Sequence, residues 1–371
     1  MGARGGRPQR GFSLLLLLLL EDRWSRAANL NSVDQIFRLD FDSSESLNTA
    51  AMACDPIDAH QHFWHYSAAA QPWMTPRHAP IKRDFLPAEL APLLAAAGFS
   101  GGCVAVQASQ TPAETAFLLA LAAEPGARIR GVVGWCDLRA EPAALRAELA
   151  AYAAAPTGRR LCGMRHVVHD EEDDGFCVRP DFMRGVAVLA EFGLAYDLLL
   201  FPRHLAPALA LARATPAVTF VLDHIANPHV AATAAKARAM AGAGTDAGTG
   251  AGAGAAPAPA ALEPEAWERD LRALAALPNV FVKASGLVTL AEWGAFADED
   301  FDAFLDVVFD AFGRARVMVG SDWPVCTLAA DYARTMGVVR GYMARRGFPP
   351  EDVAAVLAGN CVRIYKLAPL A

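Results

Sequence analysis

From Met52 onward the chain alternates between short runs that are apolar at nearly every position and longer stretches with apolar residues at helical spacing. The short runs lie near Pro56–Ala59, Gly102–Gln107, Ile129–Trp135, Gly163–Val168, Leu194–Leu200, Val218–Leu222, Val280–Lys283 and Arg316–Val319. They are rich in Val, Ile, Leu and Phe, and several lack polar alternation, which is how strands buried on both faces read. The longer stretches predict helices over Leu86–Ala97, Ala113–Ala123, Pro142–Ala154, Asp181–Phe192, Leu205–Ala214, Pro264–Ala276, Glu299–Phe312 and Ala329–Arg346. Eight strands, each followed by a helix, predict an α/β fold of the TIM-type, a (β/α)₈ barrel. A doubly wound open sheet shares this alternation. No GxGxxG follows the first strand, so its dinucleotide-binding version has no support.

Two segments break the pattern. No barrel strand is evident from the sequence of residues 1–51; Arg4, Arg7 and Arg10 precede an unbroken Leu14–Leu20 run, like the start of a targeting peptide. That run is too short to span a bilayer. Glu21, Asp22, Arg23 and Arg26 crowd the place of a cleavage site, and a start at Met52 fits as well. The expectation is a non-core extension, either a targeting segment or a misassigned start, followed by a barrel over 52–371. The second segment, Ala231–Ala261, is mostly Ala, Gly, Thr and Pro. Such a composition buries little apolar area and predicts a flexible surface insert, a lid or simply a tolerated loop.

Composition narrows the function classes. The chain has 371 residues, 54% hydrophobic and 20% charged, with a formal net charge of −7. An acidic balance argues against a nucleic-acid partner, which requires a concentrated basic surface. No membrane partner is expected for the barrel, and self-association is left open. Seven cysteines, odd in number and without a CxxC pair, argue against a disulfide framework or a cysteine zinc site. They suit a reducing compartment, so the expected location is cytoplasmic, with the N-terminal segment leaving targeting open.

The polar residues at the strand ends carry the chemistry. His60 and His62 alternate at the end of the first strand and so share a face. The C-terminal strand ends are where barrel enzymes keep their active sites. His224 follows the sixth strand, and Asp223 beside it is expected to point away and serve structurally. Asp322 follows the eighth strand, where Gly320 permits close backbone approach. Three imidazoles and a carboxylate can hold one divalent metal, zinc by the ligand set, or polarise a carbonyl without one. The carboxylate can take a proton from water; N-capping the next helix is its plainer role. Gln107, Arg165, His166 and Lys283 are candidate substrate contacts, with His169 and Asp170 beyond the fourth strand. Arg165 and Lys283 either clamp substrate or pair inside the barrel. Trp64 and Trp323 either pack against a sugar ring or fill the core.

The fragments DAHQHFW, VGWCDL, GMRHVVHD, LDHIANP, VKASGL and GSDWPVC stand in strand order between Pro56 and Leu367. Together they resemble the amidohydrolase superfamily. HQHFW with GSDWP is similar to its lactonase branch, the L-fuconolactone and L-rhamnonolactone hydrolases. The resemblance implies hydrolysis of a small sugar lactone to its acid, within carbohydrate metabolism, at a single-metal or metal-free site. His60, His62, His224 and Asp322 match the family's functional positions. Strand four offers Arg165 and His166, and strand five Asp197, so the two-metal ligand set of the superfamily is not matched. The rivals are a metal-dependent decarboxylase of the same superfamily and a catalytically inactive barrel.

Overall fold

The computed structural model describes residues 55–235 and 264–370. The expectations for residues 1–51 and for most of the Gly/Ala insert fall outside the described residues. The first insert residues, 231–235, continue a helical turn begun at Val230.

Eight strands form one parallel sheet in sequence order: β1 (Asp58–Gln61), β2 (Cys103–Val106), β3 (Ile129–Gly134), β4 (Leu161–His166), β5 (Ala195–Leu198), β6 (Thr219–Leu222), β7 (Val280–Ala284) and β8 (Val317–Val319). A parallel bridge between Gln61 and Trp323 joins the last strand to the first. His62 N donates to Trp323 O at 2.7 Å and Asp322 N to His60 O at 2.8 Å. These bonds close the barrel where the site residues stand. Burial on both sides explains the unbroken apolar runs: Cys103–Val106 and Ile129–Gly134 are buried throughout. The fold is the TIM-type (β/α)₈ barrel predicted from the alternation.

A helix follows each strand: α1 (Pro87–Ala96), α2 (Pro112–Leu121), α3 (Pro142–Ala154), α4 (Pro180–Val188), α5 (Leu205–Ala214), α6 (Pro264–Ala275), α7 (Asp302–Phe312) and α8 (Tyr332–Arg345). Proline opens α1 to α4, where its fixed φ suits the first turn and its missing N–H costs nothing. Thr111 caps α2 by accepting from Glu114 N, and Asp331 caps α8 by accepting from Arg334 N.

One element escaped the periodicity. Residues Pro350–Tyr365 form a helical stretch with a π turn at Ala355–Gly359. Ala358, Cys361, Ile364 and Tyr365 pack with Ile57, Val104, Val221 and Met318 in a core cluster of their own. Ile57 N donates to Leu357 O at 2.8 Å and Asn360 Nδ2 to Val317 O at 2.7 Å. Both partners sit at strand starts, so this stretch closes the N-terminal end of the barrel. The six described cysteines are free and buried. Among the described residues no helix is long and apolar enough to cross a membrane.

Candidate active site

At the opposite end, His60, His62, His224 and Asp322 converge. His60 Nε2 lies 3.2 Å from His62 Nε2. Asp322 Oδ1 lies 3.1 Å from His62 Nε2, 3.8 Å from His60 Nε2 and 4.0 Å from His224 Nε2. Two glycines make this approach feasible. A Cβ on Gly320 would stand 2.6 Å from His60 Cβ, and one on Gly286 2.5 Å from His224 Nδ1. His224 and Asp322 both take left-handed backbone, at φ 52° and 60°.

The outer ring nitrogens are each held. His62 Nδ1 meets Val106 O at 2.7 Å, which makes it the N–H side and leaves Nε2 as a lone pair. His60 Nδ1 meets Asp223 Oδ1 at 3.2 Å, while Arg165 Nη1, always a donor, stands 3.4 Å from His60 Nε2. Lys283 Nζ, also always a donor, lies 3.2 Å from His60 Nδ1; with the ring proton on Nδ1 toward Asp223, Nε2 is the acceptor side. His224 Nδ1 pairs with Ser285 Oγ at 2.9 Å. Burial lowers the His60 imidazole well below the ordinary histidine range, against the pull of Asp223. Burial also lowers His224. Neutral acceptor nitrogens facing a carboxylate oxygen make a donor set that wants a cation. His60, His62 and Asp322 form one potential metal triad and His60, Asp223 and His224 another, with His60 common to both. Carboxylate or carbonyl partners on the outer nitrogens are the support that metal-ligating imidazoles normally have. The residues fit a single divalent ion.

Beneath this layer lies a buried charge network. Arg165 Nη1 pairs with Asp223 Oδ2 at 3.0 Å. Lys283 Nζ pairs with Asp197 Oδ2 at 2.6 Å and Asp223 Oδ1 at 3.0 Å. Tyr365 Oη donates to Asp197 Oδ2 at 2.7 Å. Burial alone would raise the Asp223 carboxyl; Lys283, His60 and Arg165 outweigh it and hold the group well below the usual carboxylate range. Burial would lower Lys283, but Asp197 and Asp223 keep its ammonium charged. A second set ties β1 to β8: Asp58 accepts from Ser321 Oγ at 2.6 Å, Ser321 N at 2.9 Å, His60 N at 3.1 Å and Tyr332 Oη at 3.1 Å.

The cavity above has a volume of about 950 Å³; its wall includes His62, Trp64, Arg165, His169, His224 and Asp322. The remaining expected substrate contacts do not border it. Gln107 is buried and holds Arg165, its Oε1 3.0 Å from Nη2. Lys283 is fully buried in the ion network. His166, the next residue along β4 after Arg165, points outward, stacks on Phe176 at 4.8 Å and pairs with Glu171 at 2.6 Å. Trp323 is buried against Phe63 and Phe85, as core filling. Trp64 borders the cavity, though its Nε1 is anchored on Arg83 O at 2.8 Å. Asp223 does not simply point away: positive φ at His224 and Ile225 breaks the strand period, and both Asp223 and His224 reach the centre. His169 also borders the cavity, stacked on Phe201 at 4.6 Å. Burial, then Arg165, lowers it to about 3.

A barrel whose mouth gathers three imidazoles and an aspartate from β1, β6 and β8 is of the amidohydrolase class. The family described as Amidohydrolase matches residues 57–367, and the chain belongs to it. It is 39% identical to an L-fucono-1,5-lactonase of Burkholderia multivorans over 84% of this chain and 96% of that protein. It is 33% identical to an L-fucono-1,5-lactonase of Burkholderia ambifaria over 84% of this chain and 95% of that protein. A crystal structure of an amidohydrolase from Burkholderia multivorans with bound zinc superposes with a TM-score of 0.71 at 39% identity, covering 84% of this chain and 99% of that one.

Proposed function

We propose that this protein hydrolyses a small sugar lactone, an aldonolactone such as L-fuconolactone or L-rhamnonolactone, to the open-chain sugar acid. The observation that carries the reading is Asp322 Oδ1 within 4.0 Å of three imidazole nitrogens at a cavity wall, in a chain so similar to two L-fucono-1,5-lactonases. Asp322 accepts a proton from the attacking water as its oxygen bonds to the lactone carbonyl carbon. The carbonyl oxygen gains negative charge, which the fixed guanidinium of Arg165 stabilises, and which a cation held by the lone pairs of His60, His62 and His224 would offset further. When the ring C–O bond breaks, the alkoxide recovers the proton from Asp322.

His60, His62, His224 and Asp322 would hold one divalent ion, zinc by the chemistry of the donors. Such an ion supplies Lewis-acid polarisation of the carbonyl. Trp64 lines the cavity as a face for the sugar ring, and Arg165 retains an unpartnered Nε beside it. We assign this activity to residues 52–371 and a soluble, cytoplasmic setting.

A pH-indicator assay of sugar lactones, with and without chelator, tests the reading. Acid release from L-fucono-1,5-lactone well above the spontaneous rate is expected. Inert lactones alongside carbon dioxide release from an aromatic acid would replace it with a decarboxylase.

A further inference from the structure

The N-terminal end of the barrel carries a second concavity, of about 440 Å³, between the start of β3 and the turn before β4. Arg128, Arg159 and Arg160 line it, with Glu124, Thr157 and Leu370. Arg130, beside it on β3, is turned toward the chain's last described residues, donating to Ala368 O at 3.0 Å.

Four guanidiniums therefore crowd one small region of a chain whose net charge is −7. Arginines elsewhere on this surface, such as Arg139, Arg146, Arg314 and Arg346, sit on aspartate or glutamate. None of these four has a carboxylate within ion-pair distance among the described residues. Arg128 donates to Ser100 O, and Arg160 to Arg130 O at 3.5 Å, both neutral acceptors. Each guanidinium carries five N–H donors, so most donors here have no charged acceptor. Burial, and after it the like charges of Arg159 and Arg130, lower Arg160. Planar forks that converge on a concavity suit phosphate and carboxylate oxygens.

We propose that this groove is a binding site for a small dianion bearing phosphate or carboxylate groups, at the end of the barrel away from the catalytic cavity. Its volume lies in the range of small-ligand pockets.

Calorimetric titration of inorganic phosphate and of citrate into the full chain at low salt tests this. One saturable site is expected, with Kd on the order of 1 mM. Arg159→Gln and Arg128→Gln should each weaken it about tenfold, equivalent to about 1.4 kcal/mol. Arg159 is exposed, so its replacement spares the fold. Without anion at low salt, Arg159→Gln should melt no lower than the parent, because a repulsive charge is gone, and should lose the anion-induced rise in Tm. Uptake of phosphate alone assigns phosphate esters, and of citrate alone polycarboxylates. Binding that survives both arginine variants, that disappears with His62→Asn instead, or that is absent at about 10 mM anion overturns the proposal.

Discussion

Asp223 and His60 meet inside the barrel, Oδ1 3.2 Å from Nδ1, and through that contact the buried charges reach the catalytic imidazoles. The same carboxylate pairs with Arg165 and Lys283, so one residue fixes a ring orientation and shares its charge between two cations. Asp223→Asn keeps the shape but leaves those cations undercompensated. Removing one partner of a buried pair costs roughly 3–5 kcal/mol. Urea unfolding should show a loss of that size, and lactone turnover should fall with it. A variant as stable as the parent would mean that the network is not held by charge.

Asp322→Asn separates catalysis from structure. Asn tolerates left-handed backbone better than most residues, so the φ of 60° should persist. Loss of the proton acceptor should lower kcat by about 10²–10⁴. The melting temperature should stay within about a degree or two of the parent, as for a substitution worth less than about 0.5 kcal/mol. Near-normal turnover in this variant would remove Asp322 from the mechanism.

Tyr365→Phe tests the reach of the C-terminal stretch. It removes the hydroxyl that donates to Asp197. Hydrogen bonds to charged groups contribute roughly 1.5–3 kcal/mol. A denaturant midpoint lowered accordingly, at unchanged m-value, is expected. An unaltered midpoint would show that Lys283 alone satisfies Asp197.

His169 provides a pH test with a definite sign. Its imidazole sits at about 3 in the folded state, below the ordinary 6.5, through burial and the neighbouring Arg165. The unfolded chain therefore takes up the proton first as pH falls. Stability held above pH 6.5 is lost progressively toward pH 3. His169→Gln removes this contribution, so its stability should fall less steeply with acid. His60 and His224 contribute in the same direction in both proteins, which leaves the difference in slope as the measurement. Equal slopes would place His169 in solvent.

The barrel was readable because its strands are buried on both faces and six of its eight helices begin with proline or a capping side chain. Asp58–Gln61 lies two residues beyond the expected Pro56–Ala59 run, since DAHQ is buried despite its polarity. His60, His62, His224 and Asp322 were legible from their places at strand ends. Asp223 was not, because alternation was carried past Leu222 into backbone that turns left-handed. Gln107 looks like a substrate contact in sequence, and only three-dimensional pairing shows it taken up by Arg165; for Lys283 the sequence leaves substrate contact and internal pair open, and the two aspartates decide for the pair. The stretch after Pro349 lacks a clear polar face because Val356–Cys361 is buried at every position.

Tyr365 also carries a consequence for biosynthesis. The first two imidazoles leave the ribosome by residue 62, whereas the hydroxyl that completes the charge network beneath them comes more than three hundred residues later. A nascent chain can pair strands in order as it emerges, yet Lys283 and Asp197 wait for the last helical turn before their burial is complete. Completion of the buried network therefore comes late in the order of synthesis, after all eight strands have been made.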